Sequence, residues 1–200
     1  MSLPHAVIIA GGKGERLGGV RKADLRIGGR RLLDRVIESL GAVAAPLMLS
    51  TGPTLSISSD CVSVADLNAD VGGPLAGLAA AVAHLDREGV SKGLLVSVAV
   101  DTPFLPRDFV AQMKDRLGDS AAAFAAWEDD FYPPNAIWRI EALTDLPERV
   151  RRGKAPNSLK ALQVGLFARR IDWTEAGGEN PFRNINTIAD LLSLGKTLRG

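Results

Sequence analysis

Ala6-Val7-Ile8-Ile9-Ala10-Gly11-Gly12-Lys13-Gly14-Glu15-Arg16-Leu17-Gly18-Gly19-Val20-Arg21-Lys22 is the stretch on which the reading of the chain turns. Its first five residues are apolar without alternation, as a strand buried on both faces of a parallel sheet requires. A glycine-rich, cationic segment follows at once. Glycines let backbone N–H groups come close to an anion, and consecutive N–H groups form a concave anion cradle. Lys13, Arg16, Arg21 and Lys22 add positive charge around it. The combination suits a polyphosphate; the bland alternative is a glycine-rich turn carrying solvated cations. Two familiar phosphate patterns fail here. The dinucleotide fingerprint needs glycine where Leu17 stands, and the P-loop needs lysine where Val20 follows Gly19.

Similar apolar runs recur outward from this stretch. Residues 46–50, 62–65 and 94–100 read as further buried strands. Between them lie helical segments. Residues 31–40 place Leu32, Leu33, Val36, Ile37 and Leu40 on one face. Residues 74–85 begin with proline at the first helical position, after Gly73, and residues 106–117 follow the fourth strand. Strands alternating with helices predict a parallel α/β sheet with right-handed crossovers. The last third differs. Residues 121–127 and 132–138 read as two strands flanking the acidic turn Glu128-Asp129-Asp130. Helices are expected at 140–150 and 157–162, a strand at 162–168, and a closing helix at 187–198 with Thr187 as its N-cap. No repeat, low-complexity tract or linker divides the chain, so residues 1–200 are expected to form one domain.

Composition narrows the function classes. With 46% hydrophobic and 24% charged residues the chain is ordinary globular material. A net charge of +1 offers no bulk field for nucleic acid or an anionic membrane, so neither is an expected partner. Cys61 is the sole cysteine, which excludes an internal disulfide and a cysteine-based zinc cluster, and 2 histidines make a multi-histidine metal site unexpected. No apolar run approaches the ~20 residues of a membrane-spanning helix, and the N-terminus lacks a signal-peptide pattern. The expected location is the cytoplasm.

Open parallel sheets hold ligands beyond the carboxyl ends of their strands. The Gly11 loop, Asp66 with the Gly73 loop, and Asp101 all fall there. Asp101 follows a seven-residue run that is apolar but for Ser97 and precedes Thr102-Pro103. A carboxylate so placed can hold Mg²⁺ while water and phosphate oxygens complete the shell; alternatively it caps the following turn. Lys22 and Arg16 would neutralise phosphate charge, or else are solvated surface cations. Gly72-Gly73 allows close approach of a base or ribose, and equally a tight helix entry. Asn184 and Asn186 flank Ile185 in an extended piece, so both amides could face one site or serve local capping. His5, His84 and Cys61 lack ligand-spaced partners. Trp127, Trp138 and Trp173 read as packing. The basic run 149–154 is a solvated helix end or a contact for a substrate phosphate.

The glycine-rich loop, Gly73-Pro74-Leu75-Ala76-Gly77, Asp101-Thr102-Pro103-Phe104-Leu105-Pro106 and Asn184-Ile185-Asn186-Thr187 occur in an order and spacing that resembles the molybdenum cofactor guanylyltransferases, the MobA family. The resemblance covers nearly the whole chain. It implies a three-layer α/β/α sandwich of the nucleotide-diphospho-sugar transferase type, mostly parallel with an antiparallel portion. It implies transfer of GMP from Mg-GTP to the phosphate of molybdopterin with release of pyrophosphate. Arg16, Lys22 and Asp101 then take the catalytic roles, with Asp101 binding Mg²⁺. The nucleotide-binding set is Ile9, Ala10, Gly11, Gly12, Lys13, Gly14, Lys22, Ser50, Asp66, Gly73, Asp101, Asn184 and Asn186. Asp70 rivals Asp66, and the Asn184 segment borders the pterin pocket. Transient contact with proteins that deliver or accept the cofactor is a further implication. The chain departs from the family pattern at four places. Arg21 stands where Asp commonly precedes the lysine, and Ser50 where Asn often contacts nucleotide. Pro134-Asn135 replaces a more apolar pair, and Ile188 replaces a proline. Alternatives to the guanylyl reading are a cytidylyltransferase or sugar-phosphate nucleotidyltransferase of the same fold, or a catalytically inactive nucleotide-binding regulator.

Overall fold

The computed structural model describes residues 2–11, 21–52, 59–67, 72–185 and 190. The strands are β1 (His5–Ile9), β2 (Arg26–Ile27), β3 (Arg30–Arg31), β4 (Met48–Ser50), β5 (Val62–Val64), β6 (Leu94–Ala99), β7 (Ala122–Trp127), β8 (Asp130–Arg139) and β9 (Arg169–Asp172). The helices are α1 (Leu32–Leu40), α2 (Pro74–Arg87), α3 (Phe109–Leu117), α4 (Leu146–Arg151) and α5 (Leu159–Gly165). Seven strands form one sheet in the order β5-β4-β1-β6-β8-β7-β9. β1 pairs in parallel with β4 and β6, β4 with β5, and β7 with β9. β8 runs antiparallel to both its neighbours. β1, β4, β5 and β6 therefore end at one edge of the sheet.

Continuous apolar strands put a side chain on each face in turn. In β1, Ala6 and Ile8 join α1 and α3 through Leu33, Val36, Phe109 and Met113. Val7 and Ile9 join α2, α4 and α5 through Leu75, Leu78, Val150 and Leu159. The result is a layer of helices on either side of the sheet, the α/β class expected. Among the described residues no helix is long and apolar enough to cross a membrane.

Two glycines have requirements of their own. Gly73 precedes α2 with φ of 81°, a conformation that other residues adopt only with strain. Gly77, inside α2, faces Ser50 so closely that an added Cβ would stand 2.5 Å from Ser50 Oγ.

Several expectations need correction. Residues 140–150 are not one helix: a 3₁₀ turn at Ile140–Ala142 is followed by α4, which opens with Pro147 in its first turn. Proline lacks the N–H that a continuous helix would need, so it starts a new helix rather than extending the old one. Residues 162–168 are not a strand. α5 runs to Gly165, its start capped by Ser158 Oγ, which accepts the Ala161 N–H at 3.1 Å. The strand comes later, as β9. Short apolar runs do not distinguish strand from helix by period. Nor did the sequence reading include the β2–β3 hairpin, which turns on Gly28 and Gly29, both at positive φ. Thr187 and the closing helix lie outside the described residues, except Asp190, which is helical.

β9 ends on a carboxylate whose titration bears on stability. The hydroxyl of Thr174, its backbone N–H at 2.9 Å and Arg170 at 2.7 Å hold Asp172 down to a pKa of about 2. The depressed value favours the folded state above the unfolded carboxyl pKa near ~4, and this contribution disappears as pH falls toward the folded value. Asp172→Asn should therefore melt below the parent at neutral pH, with the gap closing between about pH 4 and 2. Calorimetry across that range checks this; a gap that stays constant would rule out the linkage.

Candidate active site

β1, β6 and the loops beyond them open onto a cavity of about 260 Å³. Ile9, Ala10 and Gly11 form one wall, where β1 runs into the glycine-rich loop. The Ala10 N–H donates to the Ser50 carbonyl at 2.8 Å, extending the β1–β4 pairing one residue beyond the strand. Ala99, Val100 and Asp101 form a second wall, Pro74 contributes from the start of α2, and Tyr132 to Asn135 come from β8.

Lys22 and Asp101, separated by 79 positions in sequence, meet here. Lys22 Nζ donates to Asp101 Oδ2 at 2.6 Å, and the two side chains are 21% and 16% exposed. Lys22 begins a 3₁₀ turn whose next residue, Ala23, is fully buried against the core, so the lysine is anchored at its backbone. The Asp101 carbonyl accepts the Ile185 N–H at 3.1 Å. Ile185 is itself fully buried in a small cluster with Ile27 and Leu32, packed by Leu25 and Phe104. That anchor places exposed Asn184 on the cavity rim. Behind it, Phe182 packs with Phe109, Tyr132 and Trp173, and Asn180 Nδ2 donates to the Tyr132 hydroxyl at 2.7 Å.

The remaining candidates are placed less centrally. Asp66 stands two residues past β5, at the same sheet edge but not among the cavity-lining residues; burial pushes its carboxyl above the ordinary range. Gly73 flanks the cavity through Pro74. Ser50 is 2% exposed and packs under Gly77 of α2, so its side chain serves the helix–sheet contact and does not line the cavity. The strand's alternation, one residue from Thr51, turns it that way. Gly12, Lys13, Gly14, Arg16, Asp70 and Asn186 lie outside the described residues. Arg149, Arg151 and Arg152 pair locally with Asp145 and Glu148 on the outer face of α4, away from the cavity lining. The sequence reading missed the β8 wall. Its signal was Pro133-Pro134 inside a strand, which marks an interrupted ladder.

Comparison with known proteins gives this cavity a family. The model of the MobA-like NTP transferase domain matches residues 6–164. The chain belongs to this MobA-like family. Curated relatives cover nearly all of it. A molybdenum cofactor guanylyltransferase of Rhizobium meliloti is 34% identical over 95% of this chain and 89% of its own length. One from Acidiphilium cryptum is 37% identical over 94% and 91%. Among solved structures, molybdopterin-guanine dinucleotide biosynthesis protein A of Archaeoglobus fulgidus has the same fold, with a TM-score of 0.75 at 21% identity over 98% of both chains. A 2-C-methyl-D-erythritol 4-phosphate cytidylyltransferase of Thermus thermophilus shares it too, at a TM-score of 0.67 and 19% identity over 100% of both. The MobA-like chain is thus built on the nucleotidyltransferase fold, the class expected.

Proposed function

We infer that the chain transfers GMP from GTP to the terminal phosphate of molybdopterin, forming the guanine dinucleotide form of the molybdenum cofactor and pyrophosphate. The observation that carries the reaction class is the Lys22–Asp101 contact inside a cavity at the carboxyl edge of parallel strands. The base and acceptor rest on the relatives that bear the name molybdenum cofactor guanylyltransferase. These relatives favour the guanylyl reading over the cytidylyl, sugar-phosphate and inactive-regulator ones.

An oxygen of the acceptor phosphate forms a bond to the α-phosphorus of GTP. The bond from that phosphorus to the α–β bridging oxygen breaks, and pyrophosphate leaves with the electron pair. The attacking phosphate is already anionic near neutral pH, so no general base is needed. The protein's task is alignment and compensation of charge. Lys22 and Arg16 offset phosphate charge, the backbone from Gly11 to Gly14 with Lys13 cradles it, and Ile9 and Ala10 floor the pocket. Asp66 and Gly73 border the nucleoside, and Asn184 and Asn186 the acceptor.

The donor set at Asp101 fits Mg²⁺ carried in on a nucleotide. One carboxylate with room for water and phosphate oxygens is how magnesium is commonly held. Among the described residues no group of three or more His, Cys, Asp or Glu forms an all-protein cage. Asp101 would hold the ion, which when bound offsets the negative charge of the triphosphate. We further propose that residues 1–200 act as one domain, that the reaction draws on cytoplasmic GTP, and that proteins supplying or receiving the cofactor dock transiently.

The test is competition between GTP and CTP with molybdopterin as acceptor, read as pyrophosphate release. GTP should be preferred by about 10⁴-fold or more in kcat/KM, the scale that a site hydrogen-bonded to its substrate supplies. A preference for CTP, or nucleotide binding with no product, would overturn the reading.

A further inference from the structure

β6 delivers Asp101 to the cavity, and the end of β6 is held by the sheet ladder on its β1 flank, where the Val100 N–H still donates to the Ile9 carbonyl at 3.1 Å, and by a side chain on its β8 flank. On one flank β6 pairs with β1 as far as Ile9↔Ala99. On the other, its pairing with β8 stops at Ser97↔Ala136. β8 continues there into Asn135, Pro134 and Pro133, and prolines have no N–H to give. Two side chains carry the seam onward. Ser97 Oγ donates to the Pro134 carbonyl at 2.8 Å and accepts the Trp138 Nε1–H at 2.9 Å. Asn135 Oδ1 accepts the Ala99 N–H at 2.9 Å and lies 3.4 Å from Thr102 Oγ1. Thr102 closes the turn, its N–H and hydroxyl both donating to the Ala99 carbonyl, at 3.3 and 2.8 Å. Asp101 sits within that turn.

Asn135 is 1% exposed. The backbone donor it faces fixes which amide atom is the oxygen. Its Nδ2 is buried with no hydrogen-bond partner among the described residues. A buried amide that uses only its oxygen is costly to keep, because most buried polar atoms are satisfied. An apolar side chain would remove the orphan donor but strand the Ala99 N–H. An aspartate would keep the acceptor but bring a second enclosed carboxylate toward Asp101.

We propose that Asn135 is a positioning residue, which pins the turn from Ala99 to Thr102 and so aims the Asp101 carboxylate into the cavity. The proposal rests on the nucleotidyl-transfer reading for its kinetic consequence, but not for its structural one. The experiment compares N135L and N135D by amide hydrogen exchange without nucleotide and by steady-state kinetics with GTP and molybdopterin. N135L should speed exchange at Ala99 by about tenfold or more, as a locally opened bond does. It should lower kcat by about 10–100-fold, the scale of a small misplacement, with KM for GTP within about threefold. N135D, retaining the acceptor, should keep Ala99 protected and kcat above that of N135L. Parental exchange at Ala99 in N135L would overturn the proposal. So would a loss carried in KM alone, which would mean direct nucleotide contact. If N135L does not fold, N135S, whose oxygen falls short of Ala99, replaces it with the same expected and overturning results. A parent protein that binds GTP but transfers nothing would sink the functional reading, and exchange at Ala99 would still decide the role of Asn135.

Discussion

Asp101→Ala is expected to lower GMP transfer by about 10²–10³-fold or more, the scale lost when a preorganised electrostatic group is removed from a reacting phosphate. The fold should survive. The Asp101 side chain engages Lys22 and the backbone carbonyl engages Ile185, and alanine keeps the second contact. Lys22 is partly exposed, so losing its carboxylate leaves a cation that can turn to water rather than an unpaired buried charge. Asp101→Asn sharpens the result. It keeps the shape and a hydrogen-bond acceptor and loses only the charge, so it should fall nearly as far as alanine if the carboxylate serves a cation. Pyrophosphate release and a melting curve measured on the same samples check both halves. Parental turnover in either variant would remove Asp101 from the chemistry.

A shared edge for Lys22 and Asp101 was legible in outline because the glycine-rich loop that leads to Lys22 and the turn that holds Asp101 each follow an apolar strand, and parallel strands bring such loops to one edge; their direct ion pair was not. For Asn184 the alternation argument set both asparagine amides toward one site; the structure adds what the sequence reading did not include, a buried Ile185 that ties the segment to Asp101. Ser50 lies at the expected strand end, but its side chain is turned by the strand's alternation onto Gly77 of α2, a facing that depends on where the helix packs and not on sequence spacing. Asn135 was noticed only as a departure. Nothing in Tyr132-Pro133-Pro134-Asn135 says that a ladder ends there against β6, because that is a property of register across a sequence separation of 36. The error at 162–168 has a local cause. Val164, Leu166 and Phe167 extend the apolar run of α5, yet Phe167 is 91% exposed and ends the helix at positive φ. Its apolar character is not spent on the core.

Gly77→Ala should destabilise the protein even though alanine is the better helix former by about 1 kcal/mol. The new Cβ would lie 2.5 Å from Ser50 Oγ and 2.9 Å from Ser50 Cβ. The hydroxyl can rotate away, but Ser50 Cβ is fixed by a backbone that pairs with Val64 and accepts the Ala10 N–H. Helix and strand must separate, and overpacking of this kind costs about 1–3 kcal/mol. After the propensity gain, Gly77→Ala should lose up to about 2 kcal/mol, and Gly77→Val more, with Tm falling about 2–4 °C for each kcal/mol in a chain of this size. Activity should fall with it, because the same helix carries Pro74 to the cavity. Ser50→Gly removes both offending atoms, so the double variant should recover at least about 1 kcal/mol relative to the sum of the two singles, as contacting residues do. Ser50→Ala alone should leave KM for GTP within about twofold, because the hydroxyl faces α2 and not the nucleotide. Strictly additive melting data would show that the two residues do not press on each other; a large rise in KM from Ser50→Ala would return Ser50 to the binding set.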